Sequence, residues 1–181
     1  MRFETGSKLE PFCCNTIDQD GVSAEQLVNG KPTMFLFLRY YGCRICQLDL
    51  RDLDRNYEQI RSAGGQAVVI LQSKRAVLEK AAVEKAFPCP VVCDPDQELY
   101  KMFGILPAAD KEGLTGGNAA GKVKRAAELG LVHGVYEGNE LQLPAAVLVV
   151  GEMTIRYAHS GENAADIPGA EEIAGMIEAL S

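Results

Sequence analysis

Residues 35–47, Phe35-Leu36-Phe37-Leu38-Arg39-Tyr40-Tyr41-Gly42-Cys43-Arg44-Ile45-Cys46-Gln47, decide the fold. An apolar run over 34–38 has the continuous character of a strand buried on both faces. It stops at Gly42, and a Cys-x-x-Cys follows at Cys43 and Cys46. Residues 47–61 then carry Leu48, Leu53, Tyr57 and Ile60 at helical positions. The reading is strand, turn, dithiol, helix. A helix start offers unpaired N–H groups and the positive end of the dipole, so it stabilises an anion. The thiolate is an anion and is the reactive form of cysteine. Cys43 is therefore the candidate nucleophile, with a lowered pKa. Cys46, one helical turn on, is the candidate resolving cysteine. Arg44 adds positive charge. Arg39 divides evenly between a solvated strand-end residue and a second support for the thiolate. Tyr40 and Tyr41 read equally as packing residues and as hydroxyl donors.

The rest of the chain supplies an α/β framework around that unit. Before it, Asp20-Gly21 is a hairpin signal with short strands expected on either side. Ser23 and Gln26 have capping-box spacing for a short helix. After it, Ala63-Gly64-Gly65 stops the long helix and 66–71 is a second continuous apolar strand. Ser73 is expected to cap a helix over 74–86. A short strand at 91–93 precedes Asp94-Pro95-Asp96-Gln97, an N-cap acid with proline at the first helical position, for a helix ending near Phe103. Residues 145–150 and 153–158 form a β-hairpin, and 170–180 form a last amphipathic helix with Ile173, Met176, Ile177 and Leu180 on one face. Strand–helix–strand crossovers imply a parallel core to the sheet. Residues 107–142, with four glycines at 113, 116, 117 and 121, lack the apolar residues for a core of their own. They are expected to be an insertion or lid within a single domain over 1–181.

Composition narrows the function. The 181 residues are 47% hydrophobic and 24% charged, as in ordinary globular chains. The net charge of −7 has no basic cluster, which argues against nucleic acid. No apolar run approaches the ~20 residues of a membrane span. The N-terminus has no signal-peptide core. A cytoplasmic protein is the expectation, in which six cysteines point to redox or metal chemistry rather than a structural disulfide framework. Cys89 and Cys93 read first as core or near-site thiols, with an auxiliary redox relay as the alternative. Together with Cys43 and Cys46 they also make a rival four-sulfur zinc set, disfavoured by the spacing and proline between them. Cys13 and Cys14 read as structural or incidental. His133 and His159 are too few and too distant in sequence to mark a metal site or triad.

At this point the chain resembles the thioredoxin superfamily, and within it peroxiredoxin-like proteins of the alkyl hydroperoxide reductase C / thiol-specific antioxidant type. The resemblance is carried by residues 38–46 in a Cys-x-x-Cys version of that family's active site. Phe87-Pro88-Cys89-Pro90-Val91-Val92-Cys93-Asp94-Pro95-Asp96 matches a second segment, and Tyr157-Ala158-His159 with 163–168 the tail. Gly6, Phe12 and Asp20-Gly21 match its N-terminal extension. It implies a thioredoxin-like α/β fold, with a central mixed sheet flanked by helices and a peroxiredoxin-type extension at the N-terminus. It also implies a cis-proline at Pro144 facing the dithiol. The implied activity is thiol–disulfide exchange by Cys43 and Cys46, with thioredoxin or glutaredoxin as thiol reductant and no organic cofactor. Reduction of hydroperoxides is the alternative, and a non-enzymatic zinc or binding module a further one. The family's peroxidatic motif carries proline and Thr/Ser where this chain has Leu36 and Tyr40, so exchange is the better supported activity.

Overall fold

The computed structural model describes residues 3–180. Strands β1 (Cys13–Thr16) and β2 (Val22–Ser23) form the expected hairpin, with Gly21 at φ 64°. Helix α1 (Ala24–Val28) follows with a complete Ser23/Gln26 capping box. Then come β3 (Thr33–Phe37), α2 (Arg44–Ser62), β4 (Gln66–Leu71), α3 (Arg75–Glu84), β5 (Val91–Cys93) and α4 (Glu98–Met102). Helices α5 (Lys111–Thr115) and α6 (Ala119–Glu128) lie in the 107–142 stretch, and β6 (Ala145–Val150), β7 (Thr154–Ser160) and α7 (Ala170–Glu178) close the chain.

The strands form one seven-stranded mixed sheet in the order β2-β1-β5-β4-β3-β6-β7. β3, β4 and β5 are parallel, while β6 pairs antiparallel with β3 and β1 with β5. All five residues of β3 are buried, because alternate side chains feed two cores. Met34, Leu36 and Leu38 meet Leu53, Tyr57 and Ile60 of α2 and Ile173 and Ile177 of α7. Phe35 and Phe37 meet Leu27 and Val28 of α1, Leu99 and Tyr100 of α4, and Phe12 from the lead-in. The N-terminal extension thus forms one edge of the sheet and helps to cover its second face. Truncating a buried side chain in either core is expected to cost about 2–5 kcal/mol.

Two local expectations are corrected. Ser73 does not cap α3, because its hydroxyl takes the Tyr41 N–H at 2.9 Å and the N-cap position falls to Lys74. The helix after Asp94 starts at Glu98 rather than at Pro95, since Gln97 turns left-handed at φ 59°. Asp94 still accepts from the Glu98 and Leu99 amides, at 2.8 and 2.9 Å.

Candidate active site

β3 ends where Tyr100 Oη bridges the carbonyls of Leu38 and Ile70, the latter at 3.0 Å. The chain turns over 40–42, and the Cys43 N–H closes back on the Tyr40 carbonyl at 3.1 Å. Cys43 itself is the N-cap of α2, with its sulfur accepting the Cys46 N–H at 3.4 Å. The helix begins at Arg44, three residues before the apolar pattern at 47, because the dithiol segment forms its first turn. Arg39 reaches across the turn, with Nη2 at 2.9 Å from Cys43 Sγ. Its Nη1 donates to the Glu140 carbonyl at 2.6 Å, which aims the guanidinium.

This setting drives the two thiols apart. Cys43 is held well below the usual thiol range, at about 5. The hydrogen bond from the Cys46 side chain is the largest cause. Burial opposes it, and the Arg39 charge, the Cys46 amide and the Arg39 hydrogen bond add to the lowering. Cys46 is pushed well up, by burial first and then by the hydrogen bond and charge of Cys43. At neutral pH the pair is one thiolate and one thiol, the state in which one sulfur attacks and the other waits.

The 107–142 stretch closes over this turn. α6 is tied to α2 by Lys122 with Asp49 at 2.5 Å and by a two-pronged Arg125–Asp52 pair at 2.7 and 3.0 Å. Residues 131–141 then run as a strap. Gly134 donates to the Gly42 carbonyl at 2.8 Å, and Gln47 Nε2 to the Val132 carbonyl at 3.0 Å. Asn139 N–H donates to Gln72 at 2.7 Å. The approach is close enough that a Cβ on Gly42 would lie 2.1 Å from the Val135 carbonyl oxygen. A cavity of about 210 Å³ remains, lined by Cys43, Arg39, Tyr40 and Arg44 below and by His133, Tyr136 and Glu140 above. Cys43 is only 1% exposed.

His133 had no signal in the sequence. Its Nε2 lies 3.2 Å from Tyr40 Oη and its Nδ1 2.9 Å from the Gly134 carbonyl. Tyr136 stacks on the imidazole at 4.1 Å. Tyr40 is therefore both a packed ring, 1% exposed, and a hydrogen-bonded hydroxyl. His159 sits elsewhere, 3.0 Å from Asp166.

Pro144 differs from expectation. No cis peptide bond occurs among the described residues, and Pro144 is not among the residues lining the Cys43 cavity. Its carbonyl instead accepts from Gly161 at 2.9 Å. Cys89 and Cys93 are not brought to the dithiol. Cys89 lies in the electrostatic environment of Tyr57 and Arg61. At 1.5 Å per residue that is about 20 Å or more along α2 from Cys43. Cys93 shares a separate crevice with Cys13, Cys14 and Asp94 at the β1–β5 edge. No group of three or more His, Cys, Asp or Glu side chains is placed to hold a metal ion among the described residues, so the four-sulfur zinc set does not form. Among those residues no helix is long and apolar enough to cross a membrane.

A mixed sheet with helices on both faces and a cysteine capping the helix after an interior parallel strand defines a thioredoxin-like, thiol-based redox protein. The profile of the AhpC/TSA family matches residues 5–158, and the chain belongs to that family. No curated protein matches the sequence. Among solved structures the chain is similar to peroxidoxin BcpB from Mycobacterium tuberculosis, at 10% identity, TM-score 0.69 and coverage of 98% of this chain and 97% of that one. AhpC from Enterococcus faecalis aligns at 19% identity and TM-score 0.67, covering 97% and 91%. A putative thiol:disulfide interchange protein DsbE from Chlorobium tepidum aligns at 15% identity and TM-score 0.62, covering 97% and 96%. At these identities the likeness is one of fold.

Proposed function

We propose that this protein is a thiol–disulfide oxidoreductase in which Cys43 attacks and Cys46 resolves. The observation that carries the reading is the Cys43 sulfur, which caps α2 and receives Arg39 Nη2 at 2.9 Å. The Cys43 thiolate attacks one sulfur of a substrate disulfide, and the other sulfur leaves as a thiol. Cys46 then loses its proton and attacks Cys43, releasing the second thiol and leaving a Cys43–Cys46 disulfide. A thiol reductant of the thioredoxin or glutaredoxin kind returns the pair to the dithiol. In this reading 1–181 is one domain and 107–142 is the insertion that covers its site.

Reduction of hydroperoxides is the second reading, favoured by membership of the AhpC/TSA family. It asks Cys43 to attack a peroxide oxygen and become a sulfenic acid that Cys46 condenses. Tyr40 stands where the hydroxyl of the family motif is expected. Stopped-flow oxidation of reduced protein by a small disulfide and by hydrogen peroxide, with peptide mapping, separates the two. Fast disulfide exchange at Cys43–Cys46 with sluggish peroxide reaction supports the first reading, and Cys46→Ser then accumulates a mixed disulfide on Cys43. Rapid peroxide reaction supports the second. If neither reagent oxidises that pair, both readings fall.

A further inference from the structure

The chemistry at Cys43 leaves one requirement unmet by the dithiol and Arg39. When Cys43 attacks, the departing sulfur takes the electron pair of the broken bond into a small cavity that opens to solvent on one side. An alkyl thiolate is a poor leaving group and departs faster when a proton reaches it as the bond breaks. Cys46 is hydrogen-bonded to the attacking sulfur and is reserved for the second step. Arg39 is already committed to Cys43 and to the Glu140 carbonyl.

Tyr40 and His133 fill the gap. The Gly134 carbonyl beside Nδ1 is an acceptor only, so Nδ1 carries a hydrogen in any protonation state. All variation then falls on Nε2. A neutral imidazole accepts the Tyr40 hydroxyl hydrogen there. An imidazolium donates to Tyr40 Oη, which frees the hydroxyl hydrogen to turn into the cavity shared with Cys43. Burial holds the Tyr40 phenol above its usual range despite Arg39, so it stays a neutral donor. The imidazole is fixed by its stack on Tyr136 and by the Gly134–Gly42 hydrogen bond next to it. The charged groups facing the same space are Arg39, Arg44 and Lys111 on the positive side and Glu140 and Cys43 on the negative.

We infer that Tyr40 and His133 form a proton relay for the group displaced by Cys43, with Tyr40 Oη donating to the departing sulfur and His133 Nε2 replacing that proton. This rests on the oxidoreductase reading above. The Cys43–S bond to substrate forms, the substrate S–S bond breaks, and its electron pair leaves with the far sulfur. That sulfur takes the Tyr40 hydrogen and departs as a neutral thiol. Tyr40 takes the Nε2 hydrogen of the imidazolium, and the resulting imidazole recovers a proton from solvent. The substrate disulfide is the oxidant and Cys43 the reductant. In this relay the Tyr40 hydroxyl is the group that meets the leaving atom, which makes Tyr40 a catalytic residue. His133 acts through it and is a positioning residue.

The distinguishing experiment is a leaving-group comparison on the full chain. Reduced wild type, Tyr40→Phe and His133→Ala are mixed with hydroxyethyl disulfide, whose alkyl thiol leaves poorly as an anion, and with dithiodipyridine, whose heteroaromatic thiol leaves without help. Loss of a general acid is expected to slow the alkyl reaction by about 10²-fold or more in Tyr40→Phe. The heteroaromatic reaction should change by less than about threefold, because a low-pKa leaving group gains little from a donor. His133→Ala should lose less on the alkyl substrate and recover with added imidazole. Equal slowing of both reagents would mean a packing role and overturn the relay. Unchanged alkyl rates in both variants would overturn it too. Wild type that reacts with neither disulfide at Cys43 would fail earlier, at the oxidoreductase reading itself.

Discussion

Cys43 is buried and Cys89 half-buried, yet their thiols are driven in opposite directions. Cys89 is pushed up to about 12, chiefly by burial. Cys43 is brought down to about 5. Burial acts upward on both. What differs is the polar surroundings. Cys43 sits on a helix N-terminus, beside a guanidinium and a donating thiol. Cys89 has the Val69 backbone and the charge of Arg61 working weakly against desolvation. Cys14, also pushed to about 12 by burial first and then by Cys13, Asp94 and Cys93, repeats the Cys89 case on the neighbouring strand β1. Even partial burial thus leaves a cysteine inert by default, and a particular local geometry is needed to overturn that default.

The hardest test of this contrast is alkylation of the reduced native protein by a small reagent at pH 7. A difference of about seven pKa units leaves Cys89 roughly five decades short in thiolate. The greater intrinsic nucleophilicity of a high-pKa thiolate returns about three of them. Cys43 should therefore label about 10²-fold faster than Cys89 or Cys14 despite its 1% exposure. Comparable rates would dissolve the contrast. The pH profile has a definite sign. Because the Cys43 pKa is depressed, labelling should fall as pH drops through about 5 and stay flat above it.

Arg39→Met sharpens the comparison by removing one ingredient. A hydrogen bond to a charged group is worth about 1.5–3 kcal/mol, and one pKa unit is 1.36 kcal/mol. The labelling midpoint should rise by about 1–2 units. An unmoved midpoint would assign the whole effect to the helix and Cys46. Gly42→Ala should have the smallest chemical effect and a structural one instead. Its Cβ meets the Val135 carbonyl, so the strap must shift, with a loss of about 1–3 kcal/mol in a denaturant melt. Cys43 should then label faster with bulky reagents, while its midpoint stays near about 5.

The part of this site that was legible in the sequence is the part built from neighbours. A buried run, a glycine, two cysteines and an amphipathic helix fix strand, turn and N-cap within thirty residues, and the flanking strands follow from the same local patterns. The roof was not legible. Tyr40 and His133 meet across 93 positions, and 131–141 has neither periodicity nor a motif. A lone histidine in such a stretch carries no local mark of its partner. Pro144 failed for a related reason. Leu-Pro reads the same whether its bond is cis or trans, and tertiary context chooses between them. Ser73 offered a sound capping hydroxyl, but Tyr41, 32 positions away, claimed it.

The hydrogen bond from Gly134 to Gly42 has a kinetic consequence. A disulfide too bulky to reach Cys43, only 1% exposed, through the open side of its cavity of about 210 Å³ needs the strap, and with it that bond, to move. Its bimolecular rate should then level off with concentration, at a ceiling set by the protein rather than by the reagent. The same opening exposes the Gly134 amide to solvent, so its deuterium exchange reads the clock directly. Small disulfides should keep a linear concentration dependence, and the size at which linearity is lost measures the doorway.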